Sequence, residues 1–436
     1  ATGHSAGGNA AIRGANYLGL EAQRTGEPSK LHSVFVSGYE LTLRDDVLED
    51  VRSNIGVSYA FYDEGAYRNE LQNGDMRIAP EALRVVNLGR DPSLPPVTEV
   101  ELGKHYGDLG SRTFRVVHNE RVLHPFQPYM TEAMANQLEY FEHVFGLDSG
   151  LSSTDQVWYW KELLSLLSLV CAVVMLVPLG RALLRLPLFA LLVHPVPPPL
   201  PRPKGRGRAL FWSFFAVGAL IACFSYIPMA ELSQVLFVKA SNREITWFFP
   251  QRMNNAVMMW AVLNGLVGFL MFWLAWRFHG REHGVTPSMW GVQISRKELL
   301  RTLLLAGLMF AIYYLLLSLM YWLFHADYRF LFMGVRTFRP VEFLLLMVYA
   351  PFFFLFFLSN SLRVNGSMRT DGQPEWKSML IAGLGNSLGL LLIVVVQYVT
   401  FWWTGTVYWT DGWLYVNLLF AVVPMMFVLP YFNRFF

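Results

Sequence analysis

The feature that most constrains this chain is a series of seven apolar runs that begins just after Trp158. Each is about 20 residues long, the length an α-helix needs to cross the hydrocarbon core of a bilayer. The runs are Trp160–Leu179, Leu210–Ala230, Val257–Phe278, Leu299–Phe324, Val341–Leu362, Met379–Trp403 and Trp413–Phe432. Tryptophans such as Trp158, Trp247, Trp273 and Trp409 fall near their ends, as interfacial aromatics do. Residues 1–156 lack such runs and have the charge density of a water-soluble domain. Over the whole chain 54% of residues are hydrophobic and 15% charged, against about a quarter charged in soluble proteins. Two parts are therefore expected, residues 1–148 folded in water and residues 149–436 as an all-α transmembrane domain.

Loop charges set the expected orientation. The first connection carries Arg181, Arg185, Arg202, Lys204, Arg206 and Arg208, the third Arg277, Arg281, Arg296, Lys297 and Arg301, and the fifth Arg363, Arg369 and Lys377. The alternate connections are poorer in basic residues. The positive-inside rule then makes the first set cytoplasmic and the N-terminal domain extracytoplasmic. The net charge of +3 is spread over short loops and forms no aromatic-studded basic patch, so nucleic acid is excluded as a partner. Cys171 and Cys223 both lie in apolar runs, and no disulfide is expected.

The soluble part opens on Gly3-His4-Ser5-Ala6-Gly7, a G-x-S-x-G pattern, followed by a helix with Ala11, Ile12, Ala15 and Leu18 on one side. In that pattern a serine sits on a strained strand-to-helix turn, and a Cβ at either flanking glycine is expected to collide with a neighbour. The entering strand is expected before Ala1, which makes the chain look like a piece of a longer protein. Leu31–Ser37 and Ile55–Phe61 read as buried parallel strands, with a helix over Leu41–Arg52 between them. A short helix over Pro80–Leu88 follows. Val97–Tyr106 and Arg112–Asn119 read as a hairpin turning at Gly107-Asp108-Leu109-Gly110. A last helix, with Met134, Leu138, Phe141 and Phe145 as its apolar face, stops at Gly146. Strands alternating with helices predict an α/β fold, with polar groups collecting beyond the carboxyl ends of the strands.

Ser5, Asp63 and His124, each at or just after a strand end, follow the order serine, acid, histidine. In this the chain resembles the C-terminal half of an α/β-hydrolase domain, and its lipid-embedded half is similar to bacterial membrane-fused α/β hydrolases. The resemblance implies that Ser5 is a nucleophile, His124 the general base and then acid, and Asp63 the group that fixes the imidazole tautomer. It also implies one oxyanion donor, the backbone N–H of Ala6. Glu64 is the alternative acid, and His105 and His118 compete with His124. The implied substrate is an acyl-ester or lipidic small molecule, with no cofactor and no metal. The same residues serve a peptidase or amidase, and a transporter or scaffold with a hydrolase-like binding domain is the competing class. The second oxyanion donor and the early strands lie outside residues 1–436, which alone are expected to be inactive.

Four further features have simpler readings. His279-Gly280-Arg281-Glu282-His283 matches H-x-x-E-H, but its glycine and its place at a run's end favour a basic interfacial loop over a zinc site. Gly385 and Gly389 read as close helix packing. Pro195–Pro203 reads as a polyproline spacer, with peptide docking as its alternative. Glu231, Lys239 and Asp327 would line any polar path but are expected in short extracytoplasmic connections, while Asn264, Asn360, Asn386 and Gln397 are expected to bridge helices.

Overall fold

A computed structural model describes residues 1–91, 93–292, 294–331, 333–409 and 418–435. Two compact units are present, one formed by Ala1–Lys161 with Val396–Trp413, the other by Glu162–Val395 with Leu414–Phe436.

The first unit is built on β1 (Thr2–His4), α1 (Ala6–Thr25), β2 (Ser33–Ser37), α2 (Asp45–Leu48), β3 (Asn54–Tyr62), α3 (Pro80–Asn87), β4 (Arg115–Leu123) and α4 (Thr131–Phe145). The strands form one four-stranded parallel sheet in the order β1-β2-β3-β4. Alternation along each strand assigns the two faces. Val34, Val36, Ile55, Val57 and Val117 pack with Ala11, Ile12 and Ala15 of α1 and Val85 of α3. Phe35 and Val116 point the other way, onto Tyr140 and Val144 of α4. Because all four strands run the same way, their carboxyl ends share one edge.

Several expectations are corrected here. Three residues of the strand entering the turn, Thr2–His4, lie within the chain and pair with Phe35, Val36 and Ser37. The helix expected over Leu41–Arg52 shrinks to a single turn, although Leu43, Val47, Leu48 and Val51 are all buried as expected. No regular hairpin forms: Arg115–Leu123 pairs in parallel with β3, and the expected arms are joined along the backbone by an isolated antiparallel bridge, Tyr106 to Arg115, and by the Gly103 N–H donating to the Val117 carbonyl at 2.9 Å. In α4 the buried residues are Ala133, Ala135, Tyr140 and Val144, while Leu138 and Phe145 are 46% and 51% exposed.

The second unit contains α5 (Trp158–Leu184, entering from the first), α6 (Gly205–Leu236), the short α7 (Val238–Ser241), α8 (Arg252–Ala275), α9 (Arg296–Phe324), α10 (Pro340–Leu362), α11 (Glu375–Thr404, which leaves it at Val396) and α12 (Val423–Phe435). Among the described residues, six helical segments are long and apolar enough to cross a membrane: Trp158–Leu184, Gly205–Leu236, Arg252–His283, Arg296–Phe324, Pro340–Ser367 and Glu375–Thr404. These mark the chain as a membrane protein. The seventh expected run, Trp413–Phe432, falls partly outside the described residues, and its described part is a π turn over Leu418–Val422 followed by α12.

Polar ties fix the bundle. Trp260 Nε1 donates to the Ala222 carbonyl at 2.8 Å, and the Tyr349 hydroxyl donates to Asn255 Oδ1 at 2.6 Å. Asn264 bridges α8 to Ser225 of α6 at 3.2 Å, and Asn386 donates to the Met426 carbonyl at 3.2 Å. In the Val396–Trp413 segment, which belongs to the first unit, Gln397 and Trp409 exchange hydrogen bonds at 3.1 and 2.9 Å. Gly389 lets α11 approach α6, since a Cβ there would stand 2.5 Å from the Ala219 carbonyl oxygen. Buried Glu162 accepts the Leu331 N–H at 2.6 Å, a partner that sequence spacing does not suggest. The proline-rich stretch is no free spacer: Leu200 exchanges backbone hydrogen bonds with Arg369 and Asp371 at 2.8 and 2.9 Å. Glu231 and Lys239 are exposed, and Asp327 pairs with Arg329 at 2.8 Å.

Candidate active site

Ser5 follows β1, Asp63 follows β3 and His124 follows β4, so the parallel sheet delivers all three to its carboxyl edge. Ser5 has φ 58° and ψ −121°, a backbone conformation that a side chain adopts at an energetic cost. It persists because both sides of the turn are fixed. The Ser5 N–H donates to the Ser37 carbonyl at 2.8 Å, and the Ser5 carbonyl accepts the Asn9 N–H at 3.1 Å in the first turn of α1.

The glycine requirement is not the one expected. A Cβ on Gly3 would lie 2.3 Å from the backbone of Gly7, so Gly3 is sterically obligatory. At Gly7 a Cβ would meet nothing within 4 Å; the second tight position is Gly8, 2.9 Å from the Ser37 carbonyl. Ala6 is exposed and opens α1, where unpaired helical N–H groups favour negative charge.

His124 Nδ1 and Asp63 Oδ2 lie 2.7 Å apart, and the two residues are 4% and 3% exposed. A carboxylate only accepts, so the imidazole Nδ1–H is the donor, and in the neutral ring the lone pair is then on Nε2. The other Asp63 oxygen accepts the Gly65 N–H at 2.7 Å, which holds the carboxylate in place. Glu64 is also buried, but it meets His124 through the backbone: its Oε2 accepts the His124 N–H at 3.3 Å. Its Oε1 accepts the hydroxyl of Tyr398, from the Val396–Trp413 segment of the same unit, at 3.1 Å. Burial pushes the Glu64 carboxyl up to about 7 against an opposing backbone hydrogen bond, and the Asp63 charge adds to the rise.

His124 begins a 3-10 turn, His124–Tyr129, that is anchored from below. Gln127 Nε2 donates to Ser58 Oγ at 2.7 Å and to Glu120 Oε2 at 3.0 Å, and Ser58 donates to Glu120 at 2.9 and 3.0 Å. Asn136 of α4 donates to Glu120 at 2.8 Å, so strand, turn and helix share one buried carboxylate. His4 packs its ring 4.6 Å from that of His124. Burial, and then the His124 charge, lower the His4 pKa to about 4, leaving it neutral near pH 7. Burial and then the Asp63 charge push Glu40 well above the usual carboxylate range.

The competing histidines lie elsewhere. His105 packs at a tilt against His143 and edge-on against Phe114, with ring centroids 4.5 and 4.9 Å apart, and half-buried His118 sits within β4, its pKa lowered by burial to about 4. Sequence reasoning missed His4, Gln127, Glu120 and Tyr398. The first adjoins Ser5 and was open to notice; the others come together only in space. In the H-x-x-E-H segment, α8 ends at Ala275 and gives way to a π turn and a 3-10 turn, and the His279 and His283 rings lie 3.9 Å apart. No cluster of three metal-ligating side chains occurs among the described residues. No protein-family model, curated protein or solved structure matches this chain.

Proposed function

We propose that the sheet unit is a serine hydrolase of the α/β-hydrolase type that cleaves an acyl ester. The observation that carries this reading is the buried 2.7 Å pair of His124 and Asp63 on the sheet edge that also bears Ser5. In the proposed cycle Ser5 Oγ attacks the acyl carbonyl carbon while His124 Nε2 takes its proton. The oxyanion develops toward the Ala6 N–H and the start of α1. His124 then protonates the leaving alkoxide, the C–O bond breaks, and an acyl-serine remains. A water molecule, deprotonated by His124, releases the carboxylic acid and restores Ser5. Asp63 holds the imidazole tautomer and stabilises the imidazolium throughout.

The membrane helices favour a lipidic or envelope-associated ester, and the loop charges favour action at the extracytoplasmic face of a bacterial cell membrane. Labelling of the full-length protein by a fluorophosphonate tests the reading. Labelling is expected, and Ser5→Ala is expected to abolish it. A folded protein that does not label would leave a hydrolase-like binding domain on a transporter or scaffold.

A further inference from the structure

Within the second unit, a cavity of about 680 Å³ lies among α6, α8, α10 and the start of α11. That volume falls in the range of small-molecule sites, roughly 300–1,000 Å³. Its wall is divided by polarity. Phe214, Phe215, Val267, Met271 and Phe356 line an apolar stretch, whereas Arg202, Lys204 and Asp371 border it at the loop end, all three exposed. Arg363, at the C-terminal end of α10, also lines the cavity.

Arg363 is the unexplained group. It lies at the end of a segment apolar enough to span a membrane, with its Nε buried, and a buried cation is costly unless it is paired. Its Nη2 donates to the amide oxygens of Asn386 and, at 3.4 Å, of Asn360, both neutral. No ion pair reaches it among the described residues. Its Nε–H is buried with no acceptor, and so is the Nδ2 amide of Asn360, a residue 5% exposed that also lines the cavity. Asn360 was expected to bridge helices. Instead, its oxygen is used on its own helix and its N–H groups are left over.

Buried polar groups are nearly always satisfied, so two orphaned donors beside one cavity call for an acceptor from outside the chain. A guanidinium fits a phosphate or carboxylate, which supplies both the acceptor oxygens and the missing negative charge. Arg202, Lys204 and Arg363 line the cavity against Asp371 as the single carboxylate, so the wall carries a positive excess. A bare anion would leave the aromatic wall empty, and an uncharged lipid would leave Arg363 and Asn360 unsatisfied. We propose that this cavity binds an anionic amphiphile, with its phosphate or carboxylate head on Arg363 and Asn360 and its hydrocarbon chain along Phe214, Phe215 and Met271. The site uses none of the residues assigned to hydrolysis, so it stands or falls separately from that reading.

The test is saturable binding of radiolabelled dodecyl phosphate to the full-length protein in phosphatidylcholine nanodiscs. Unlabelled dodecyl phosphate is expected to compete at least tenfold better than dodecyl maltoside, which lacks the charge, or inorganic phosphate, which lacks the chain. Competition by laurate against competition by phosphatidylglycerol placed in the nanodisc separates a free fatty acid from a bilayer lipid as the source. Arg363→Gln is expected to weaken binding at least tenfold. Gly218→Leu keeps every charge: a Cβ there meets only Met271 Sδ, at 3.5 Å, and the longer side chain occupies the apolar stretch. It too is expected to lose binding, and it decides the matter if Arg363→Gln does not fold. Absence of saturable binding, equal competition by dodecyl maltoside, or unchanged binding in a folded Gly218→Leu protein would overturn the proposal.

Discussion

His124 Nδ1 meets Asp63 Oδ2 at 2.7 Å, whereas the neighbouring Glu64 reaches His124 only through its backbone N–H, at 3.3 Å. The two acids therefore have separable duties. Asp63→Asn keeps the shape of the site but places an amide where the imidazole N–H needs an acceptor, which favours the wrong tautomer. The expected loss in fluorophosphonate labelling rate is about 10⁴-fold. Glu64→Gln is expected to stay within about tenfold of the native rate, because a neutral side chain still accepts one hydrogen bond. If Glu64→Gln is the more damaging of the two, the acid has been misassigned.

The two glycines flanking Ser5 are expected to behave oppositely. Gly3→Ala drives a Cβ to 2.3 Å from the Gly7 backbone, a clash that no side-chain rotation relieves. It should destabilise the sheet unit by at least about 3 kcal/mol and abolish labelling. Gly7→Ala enters open space inside α1 and should stabilise it by about 0.5–1 kcal/mol with labelling intact. Thermal unfolding and labelling of both variants check the pair, and equal damage at the two positions would contradict the described turn.

Glu64 should also mark the pH dependence of stability. Its folded pKa is raised from 4.5 to about 7, chiefly by burial. Below the lower value both states are protonated and the group contributes nothing. As pH rises through the unfolded value only the unfolded chain ionises, so stability falls, and the penalty levels off near pH 7 on the order of 3 kcal/mol. His4 acts in the opposite direction: with a folded pKa of about 4 against an ordinary 6.5, it removes stability as pH falls below 6.5. Comparison at matched pH isolates Glu64. Glu64→Gln should gain on the native protein in hydrogen-exchange protection of β3 between pH 4.5 and 7, and a constant difference would refute the assignment.

Orientation has its own check. In a protein with Cys171 and Cys223 replaced by serine, a cysteine introduced as Ser149→Cys should react with an impermeant maleimide from outside intact cells. Protection from outside, with reaction only after permeabilisation, would reverse the assignment.

The placement of Ser5, Asp63 and His124 on one sheet edge was legible in the sequence because a parallel sheet turns chain order into spatial convergence. Ser5, Asp63 and His124 each follow a strand, and strands that run the same way end on the same edge. The hairpin expected over Val97–Asn119 fails because Val97–Tyr106 forms no continuous ladder: it meets the second arm only at Gly103 and Tyr106, and Val100 and Tyr106 are buried from an irregular backbone. The helix expected over Leu41–Arg52 failed for a related reason, since Leu43, Val47, Leu48 and Val51 reach the core from little more than one turn. Periodicity reports which side chains are buried, and an irregular backbone can bury them too. Nothing in the sequence announces that Gln127, Ser58 and Glu120 share hydrogen bonds, or that one amide of Asn360 is left over. These are facts of distance between residues remote in the chain.

The backbone angle at Ser5 sets two demands against each other. Glycine visits positive φ freely, so Ser5→Gly would relax the turn by about 1–3 kcal/mol while deleting the only hydroxyl the proposed chemistry can use. A selection for heat resistance alone would drift toward glycine at this position, and a selection for covalent turnover would forbid it.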